Sequence, residues 1–334
     1  MRRARAIACA GLFTACATSP RPGTSGAGEI RQLVPPDAIP PLDGPVLATG
    51  SGALRPDEPV LGLVGPEGLA RAYPLALLER HVVVNDGPAE AGLVATYSAR
   101  GRVAAAYVRP LLPAPREGPG VLEADRFGFS GAALKGNAIL FDRLTRSLWT
   151  QLGGRAVAGP LAGRVLEPYP AALTTWQAFR ALHPDAVAAV DPGEPLDVSD
   201  LAARRALLEG DEALKLDARL PPDVLVVGVI AGAASKAFAL PLATPVNDKV
   251  GDVDVLIVPL AGGAAAFTRR AGGRVLTFDA AGEQLKDRET GSTWSKDGRA
   301  FEGPLAGKRL PSPPAVFAEW WAWSAFHPDT AVGR

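Results

Sequence analysis

The sequence predicts a β-rich α+β protein made of two pseudo-repeats of short strands, each closed by a C-terminal helix. Three observations predict this fold class. One long segment occurs twice, short apolar runs are more frequent than helical patterns, and the 334 residues include 37 Gly and 32 Pro. Such a content of Gly and Pro favours many turns between short elements.

The repeat is visible in two pairs of segments. Residues 142–163 contain DRLTRSLW, GGRA and GPLAG, and residues 287–307 contain DRETGSTW, GRA and GPLAG in the same order. Residues 176–185 then return as residues 320–329, and both segments end in His-Pro-Asp. Two copies of a fold need the same turns and packing, whereas one reaction needs one site. We therefore expect shared residues to build the fold, unshared residues to carry any chemistry, and the two copies to pack as a pseudo-symmetric pair.

Each copy is expected to begin with a strand and an alternating segment, and then to make an Asn-Asp turn. In that order these are residues 60–64, 70–75 and 85–86 in the first copy, and 226–230, 235–240 and 247–248 in the second. The other predicted strands are residues 93–97, 103–108, 139–141, 253–259, 264–268 and 274–278.

Each copy is also expected to close on a helix. The first is predicted at residues 176–182, with Thr174 or Thr175 as its cap, and the second at residues 316–326; a proline follows each helix and stops it. A capped amphipathic helix at residues 197–208 is predicted between the copies. The predicted organisation is a signal peptide (1–16), a flexible tether (17–38), repeat one (39–190), a linker with a helix (191–223) and repeat two (224–329).

The first sixteen residues predict export. Three arginines within the first five residues precede an apolar stretch, residues 6–15, that is too short to span a bilayer. The stretch ends in Phe-Thr-Ala-Cys, which resembles the lipobox of bacterial lipoproteins and makes Cys16 the expected lipidated residue. The alternative is an ordinary secretory signal cleaved nearby. We expect an extracytoplasmic lipoprotein of the cell envelope, on the periplasmic side or the outer surface, with the lipid membrane as a partner through its N-terminal anchor.

Composition restricts the remaining partners. The 35 basic and 35 acidic residues balance, and no patch interleaves basic and aromatic residues, so a nucleic-acid partner is not expected. Both cysteines, Cys9 and Cys16, lie in the predicted signal, so the mature body supplies neither a disulfide nor a thiolate metal ligand. We expect no cofactor and no metal, and a protein or small molecule as the ligand.

Several motifs resemble those of a bacterial family known as domain of unknown function 3179. They are ARAYPL at residues 70–75, FSG at 129–131, FDR at 141–143, SLWTQ at 147–151 and the paired GPLAG turns, and the resemblance extends from residue 39 to residue 329. The resemblance implies a two-copy architecture and brings no established reaction with it.

The sequence departs from this family at two places. Where members carry His-Glu-Ile-Val-Asn-Asp, residues 81–86 read His-Val-Val-Val-Asn-Asp, and where members carry Tyr-Cys-Pro-Leu-Cys-Gly, residues 97–102 read Tyr-Ser-Ala-Arg-Gly-Arg. Two such cysteines near a histidine could hold a soft metal or cycle a disulfide. Ser98 and Gly101 supply no thiolate, so this chain resembles a degenerate copy.

The candidate pocket combines residues of the first copy that could act together: His81, Asp86, Tyr97, Ser98, Asp142 and Arg143. His81 is unshared, since its counterpart falls near Ala243, but an ordinary buried or capping role is the alternative. The shared Asn-Asp pairs are favoured as turns. Asp142 and Arg143 are favoured as a tight turn, in which the carboxylate accepts from the backbone or the adjacent guanidinium, with binding of a substrate carboxylate or phosphate by Arg143 as the alternative.

Other reactive residues are assigned structural roles. His183 and His327 are expected to sit at helix ends beside the terminal carbonyls, and Trp149 and Trp294 are expected in the core. Three aspartates of the second copy lack the spacing of a calcium loop, and Gly-Phe-Ser-Gly at residues 128–131 is one residue short of a nucleophile elbow. Few reactive residues are therefore unshared, which favours a non-catalytic binding or scaffold module. The alternative is an enzyme or metal-dependent protein that uses the pocket around His81, Tyr97 and Arg143.

Overall fold

Strands dominate the fold. The computed structural model describes residues 29–65, 68–88, 92–113, 122–191 and 216–333, and these residues contain 29 strands and three α-helices. The β-rich α+β class predicted from the sequence is confirmed. The predicted signal peptide, most of the tether and the predicted helix at residues 197–208 lie outside the described residues.

The elements follow one another along the chain in this order. The first half contains β1 (Arg31–Gln32), β2 (Leu42–Asp43), β3 (Val46–Ala48), β4 (Pro59–Val64), β5 (Ala70–Pro74), α1 (Leu75–His81), β6 (Val83–Asp86), β7 (Leu93–Ser98), β8 (Val103–Val108), β9 (Leu111–Pro113), β10 (Leu122–Ala124), β11 (Phe127–Leu134), β12 (Asn137–Asp142), β13 (Leu148–Thr150), β14 (Ala156–Ala158), β15 (Ala171–Thr175), α2 (Trp176–Leu182) and β16 (Val187–Val190). The second half contains β17 (Leu225–Ala231), β18 (Ala234–Ala239), β19 (Val246–Val250), β20 (Val253–Leu260), β21 (Gly263–Thr268), β22 (Arg270–Ala271), β23 (Arg274–Val275), β24 (Phe278–Ala281), β25 (Gln284–Asp287), β26 (Thr293–Trp294), β27 (Ala300–Glu302), β28 (Ala315–Glu319), α3 (Trp320–Phe326) and β29 (Ala331–Val332). Short 3-10 turns cover Ser51–Ala53 and Arg100–Arg102.

Two eight-stranded sheets form the centre of the molecule. The first sheet has the order β19-β20-β21-β15-β4-β5-β16-β3, and the second has the order β2-β6-β7-β8-β28-β17-β18-β29. One apolar cluster joins them, with Leu61 and Ile257 from the first sheet and Val84 and Val227 from the second. Burial of such alternating apolar faces is the main force that holds two sheets together.

The two sheets have corresponding strand orders. β19-β20-β21-β15-β4-β5-β16 in the first matches β6-β7-β8-β28-β17-β18-β29 in the second, strand by strand. Apart from the edge strands β3 and β2, each sheet therefore consists of a three-stranded meander from one half of the chain and a four-stranded block from the other. The order and register define corresponding positions in the two halves. Gly62 and Gly228, for example, lie opposite Ala172 and Val316 in the same register.

Smaller sheets carry the repeated Asp-Arg motif. Asp142 ends β12 in a five-stranded sheet, and Asp287 ends β25 in a four-stranded sheet. The Asp142 carboxylate accepts from the backbone N–H of Thr145 at 2.6 Å and from Trp149 Nε1 at 2.8 Å. Asp287 makes the same two contacts, at 2.6 Å and 2.9 Å, with Thr290 and Trp294. The carboxylate thus closes its own turn and holds the buried indole.

The second closing helix is shorter than predicted. Residues 316–319 belong to strand β28, which pairs with β17 and β8, and α3 begins only at Trp320. The prediction was wrong there because Val316–Glu319 also suits a helix, and pairing with two strands overrides that local preference. The first helix, α2, has the predicted bounds, and Thr175 Oγ1 caps it by accepting from the backbone N–H of Ala178 at 3.3 Å.

The predicted Asn-Asp turns are strands. Asn85 and Asp86 end β6, and Asn247 and Asp248 lie in β19. The Asn85 amide behaves as a strand partner: it accepts from the N–H of Phe127 and donates to its carbonyl, both at 2.9 Å. Asn247 pairs with the backbone of residue 278 in the same way, at 2.8 Å in both directions. Each asparagine side chain therefore links a strand of a large sheet to the backbone of a smaller sheet. The local Asn-Asp pattern predicts a turn and gives no sign of such a distant partner. The predicted strand at residues 274–278 is likewise divided between β23 and β24.

Candidate functional site

A cleft of about 480 Å³ opens between α2 and the segment that follows β27. Its floor is formed by β4, β15 and β21 of the first large sheet, where the lining residues include Gly62, Ala172, Ala265 and Ala266. Small side chains on three adjacent strands leave room above the sheet. The volume falls within the range of about 300–1,000 Å³ that is usual for small-molecule sites.

The wall formed by α2 depends on a close contact with the floor. A Cβ atom added at Gly62 would lie 2.3 Å from Cε2 of Phe179. Only glycine therefore lets the phenyl ring settle onto the sheet, and this position of the ring sets the width of the cleft. Leu182 and His183 continue the same wall toward solvent.

The mouth of the cleft is polar. A second cavity of about 560 Å³ shares His183, Asp297 and Arg309 with the first, and it adds Ser295 and Arg299. The Ser295 hydroxyl donates to Asp297 Oδ1, and Arg309 Nη2 lies 3.5 Å from Asp297 Oδ2. An apolar floor thus leads to a mouth that carries charged groups.

His183 lies at the border between the floor and the mouth. Its backbone N–H donates to the carbonyl of Phe179 at 2.9 Å, and the two rings are 4.8 Å apart between centroids. Burial lowers the pKa of His183 below its ordinary value of 6.5; Asp297 opposes this effect and Arg309 adds to it. Burial therefore favours the neutral form of the imidazole.

Both histidines follow a helix, and neither carries the charge that would favour this position. Both follow the last residue of a helix as predicted, but burial also lowers the pKa of His327, to about 4, with a smaller contribution from Lys135. A neutral ring gains little from the helix dipole. Instead, His327 stacks on Trp323 with a centroid separation of 4.0 Å.

The corresponding place in the other half of the molecule is filled. Trp323 on α3 takes the position of Phe179 and covers Gly228, where an added Cβ would lie 2.3 Å from the indole. Trp323, Tyr107 and Leu166 belong to one continuous apolar cluster there.

At the cleft, the residues in the three corresponding positions do not form one continuous apolar cluster. Phe179 belongs to one apolar cluster, whereas Phe267 and Leu310, which correspond to Tyr107 and Leu166, belong to another. The correspondence of the leucines rests on one repeated bond, in which Leu166 donates to Gly154 and Leu310 to Gly298, both at 2.9 Å. The cleft is thus the place where an interface that is packed in one half is open in the other.

Of the residues predicted for the pocket, His81 serves as a link between segments. Its Nδ1 lies 3.0 Å from the carbonyl of Pro40, and its Nε2 lies 3.2 Å from Asp191 Oδ2, which also pairs with Arg80. Both ring nitrogens therefore have protein partners. The backbone N–H of Tyr97 donates to the carbonyl of Val82 at 3.1 Å, so the end of α1 runs beside the end of β7.

The strand next to His81 carries two more predicted residues. Tyr97 is buried in the apolar cluster between the large sheets. Ser98 is also buried, and its hydroxyl donates to the carbonyl of Arg100 at 3.1 Å within the following turn. Residue 98, where the resemblance implies a cysteine in other members of the family, therefore lies near the end of α1.

The other three predicted pocket residues, Asp86, Asp142 and Arg143, have protein partners away from His81. Asp86 accepts from Tyr73 at 2.5 Å and from Arg71 Nη1 at 3.3 Å, which ties the two large sheets together. Arg143 pairs with Asp37 through both of its Nη atoms. None of the six predicted pocket residues is among the described residues that line the cleft or its mouth.

The structure also contains a pair of buried carboxyl groups that the sequence reading missed. Asp125 and Asp142 are 1% and 0% exposed. Burial, followed by the charge of Asp142 and a hydrogen bond to it, raises the pKa of Asp125 from 3.8 to about 7. The position that corresponds to Asp125, two residues before the Asn-bonded phenylalanine, is Leu276 in the second half. The pair is therefore specific to the first half.

Nearby, Arg109 is buried against the backbone. Its Nη2 donates to the carbonyls of Gly87 and Pro88 at 3.1 and 3.2 Å. Burial, together with Arg126, lowers the pKa of Arg109, whereas nearby carboxylates, among them Asp125, oppose this effect. This cluster could store a proton, since two carboxyl groups at close range do not both ionise readily.

Sequence comparison between the copies could have found the cleft residues. Within the shared GPLAG context, Val165 in one copy stands where Arg309 stands in the other, and Phe179 stands where Trp323 stands. The two copies carry different residues at these positions, and such unshared positions were expected to carry function. They were missed because neither an arginine nor a phenylalanine alone suggests a reaction.

Comparison with known proteins identifies the family. The family model described as "Protein of unknown function (DUF3179)" matches residues 36–330. The chain belongs to this family. The DUF3179 match covers both halves of the molecule and includes the cleft. No curated protein and no solved structure matches the chain. None of the helices among the described residues of this DUF3179 protein is long and apolar enough to cross a membrane.

Proposed function

We propose that this protein is a non-catalytic binding module that holds one small, mainly apolar ligand in the cleft between α2 and the segment after β27. The observation that carries the proposal is the difference between the halves. Trp323 closes one interface, whereas Phe179 leaves the corresponding interface open over a floor of small residues. An enclosed apolar floor with a few polar groups at its edge is typical of a ligand site.

The groups at the mouth favour binding over catalysis. The Ser295 hydroxyl donates to Asp297, which also pairs with Arg309. The same hydroxyl lies 3.1 Å from the carbonyl of Arg299, so its contacts stay within the segment from residue 295 to residue 299. A nucleophilic serine, by contrast, is usually activated by a base such as histidine whose pKa lies near the working pH. We therefore assign this serine to the support of its turn.

The alternative is an enzyme or metal-dependent protein that uses the pocket around His81, Tyr97 and Arg143. Support for it is weaker, because the imidazole of His81 and the guanidinium of Arg143 already have carboxylate partners, Asp191 and Asp37. Such contacts would have to break before either group could reach a substrate.

The binding proposal is tested with N-phenyl-1-naphthylamine, a neutral apolar dye that fluoresces when it leaves water. We expect saturable binding to the wild-type protein at about one dye per chain. Phe179→Trp should abolish that binding, because it places in the cleft the residue that fills the corresponding interface. The fold should tolerate this change, since Trp323 already lies over a glycine in the same arrangement.

Phe326→Trp is the matched control, because Phe326 ends α3 away from the cleft. It should leave dye binding unchanged. Thermal unfolding of each variant checks that the chain remains folded. Equal binding by the wild type and Phe179→Trp would contradict the proposal, as would a wild-type protein that does not bind the dye.

We further propose that the protein is an extracytoplasmic lipoprotein anchored through Cys16. Arginines followed by a short apolar stretch and a lipobox-like Phe-Thr-Ala-Cys support this proposal. Cys16→Ala should release the protein from the membrane fraction, whereas Cys9→Ala, in the middle of the apolar stretch, should not. Retention of the Cys16→Ala variant in the membrane fraction would contradict the anchor.

A further inference from the structure

The mouth of the cleft carries two arginines directly opposite each other. Arg299 and Arg309 form an antiparallel bridge, and the corresponding bridge in the first half joins Arg155 to Val165. Like charges in directly opposed positions of a ladder repel. The second half therefore accepts an unfavourable pair at the mouth of the open cleft, whereas the first half, whose interface is closed, does not.

Both arginines have donors without a partner among the described residues. A guanidinium has five N–H donors, and Arg309 uses one nitrogen for its contact with Asp297 at 3.5 Å. Its side chain remains 46% exposed. Among the described residues, Arg299 has no ion-pair partner, and it too is exposed.

The part of the chain that the structure describes places other charged or titratable residues at this cleft and its mouth. Asp297 is nine-tenths buried beneath Arg309. Lys296 pairs with Glu283 at 2.8 Å. Asp185 is exposed and lines the mouth, and burial lowers the pKa of His183, which favours its neutral form. The exposed charged residues described at the mouth are therefore Arg299, Arg309 and Asp185, which together carry a net positive charge.

We infer that the cleft selects an amphipathic anion, with its apolar body on the floor of small residues and a carboxylate-like group between Arg299 and Arg309. This inference rests on the proposed binding function. Guanidinium groups bind planar oxyanions through paired N–H donors, and this geometry is stronger than a neutral contact. A ligand with this chemistry would relieve the repulsion within the bridge while it fills the apolar space.

Two dyes with one skeleton test the inference. N-phenyl-1-naphthylamine is neutral, and 8-anilinonaphthalene-1-sulfonate is the same aromatic system with an added sulfonate. Arg309→Val, which installs the residue found at the corresponding position, should weaken the anionic dye roughly tenfold. It should change the affinity for the neutral dye less than about twofold. Raised salt should weaken the anionic dye alone.

Lys308→Val is the matched control. Lys308 is the exposed neighbour of Arg309 and lines neither the cleft nor its mouth. It removes the same net charge and should leave both dyes unchanged. Equal weakening of both dyes by Arg309→Val, or no weakening of either, would overturn the anion inference while the binding function stands. If the wild type binds neither dye, the proposed function itself fails and the inference falls with it.

Discussion

Phe179 rests directly on Gly62, so that a single added methyl group at the glycine would lie 2.3 Å from the phenyl ring. This contact joins α2 to the floor of the cleft. It ties the shape of the site to one residue without a side chain, because no other residue lets the ring lie this low.

Gly62→Ala should therefore alter both stability and binding. The added methyl group would displace the ring from its place on the sheet, so we expect a loss of about 1–3 kcal/mol in the free energy of unfolding and weaker binding of N-phenyl-1-naphthylamine. Urea unfolding and dye titration measure the two effects. Gly52→Ala is the control, since nothing lies within 4 Å of the added Cβ at that position. A Gly62→Ala protein with wild-type stability would mean that the ring is not fixed by this contact.

The two Asp–Trp turns should differ in their response to the same substitution. Asp287→Ala leaves the indole of Trp294 and the N–H of Thr290 without their acceptor, which we expect to cost about 3 kcal/mol or more. Asp142→Ala removes the same contacts but also relieves its interaction with Asp125, so at pH 8 it should cost less. Urea unfolding of both variants at this pH measures the difference. Equal losses would show that the two carboxyl groups do not interact.

Asp125 should make the folded chain less stable as the pH rises. Its pKa is about 7 in the folded chain and 3.8 ordinarily, so the stability that its proton provides is complete below about pH 4 and is lost as the pH rises through about 7. Asp125→Asn should remove this loss and be more stable than the wild type at pH 8. Asp252→Asn, at a fully exposed carboxylate, should not alter the pH dependence. An unchanged pH profile in Asp125→Asn would contradict the raised pKa.

His327 should act in the opposite direction. Its pKa is about 4 in the folded chain, below the ordinary value of 6.5, so its contribution is complete above about pH 6.5 and is lost as the pH falls through about 4. His327→Phe keeps an aromatic ring against Trp323 and should remove the acid-side loss. Urea unfolding between pH 4 and pH 7 compares this variant with the wild type. The same acid-side loss in both proteins would contradict the assignment.

The exchange of meanders between the sheets predicts that neither half folds alone. Strands β6–β8 complete the sheet of the second half, and β19–β21 complete the sheet of the first. A fragment of residues 29–191 would expose the edges of β8 and β15, so it should lack cooperative thermal unfolding by circular dichroism. Mixed with residues 216–334 it should regain that transition. A cooperative, monomeric first-half fragment would contradict the exchange.

Local patterns predicted the elements better than their partners. The apolar run at residues 226–230 and the capped segment at 176–182 lie within β17 and form α2, because strand and helix periodicity are local properties. The sequence did not reveal that β21 pairs with β15 across the halves, since alternation specifies a buried face and not a neighbour. Asn85 and Asn247 were misread for the same reason: the residue that each bonds is distant in the chain.

The candidate pocket was chosen by residue type, and this explains why the cleft was missed. Histidine, tyrosine and paired Asp-Arg suggested chemistry, but the open space depends on Gly62, on three alanines and on the smaller ring of Phe179. A cavity formed by small side chains produces no recognisable motif in a single copy of the repeat. It becomes visible only when Phe179 is compared with Trp323, or Arg309 with Val165.

A crystal structure of the protein grown with N-phenyl-1-naphthylamine would show whether the cleft holds an apolar ligand. We expect one dye molecule between Phe179 and Leu310, above Gly62 and Ala172. Dye found only on the outer surface, or beside Trp323 in the other half, would contradict the binding proposal.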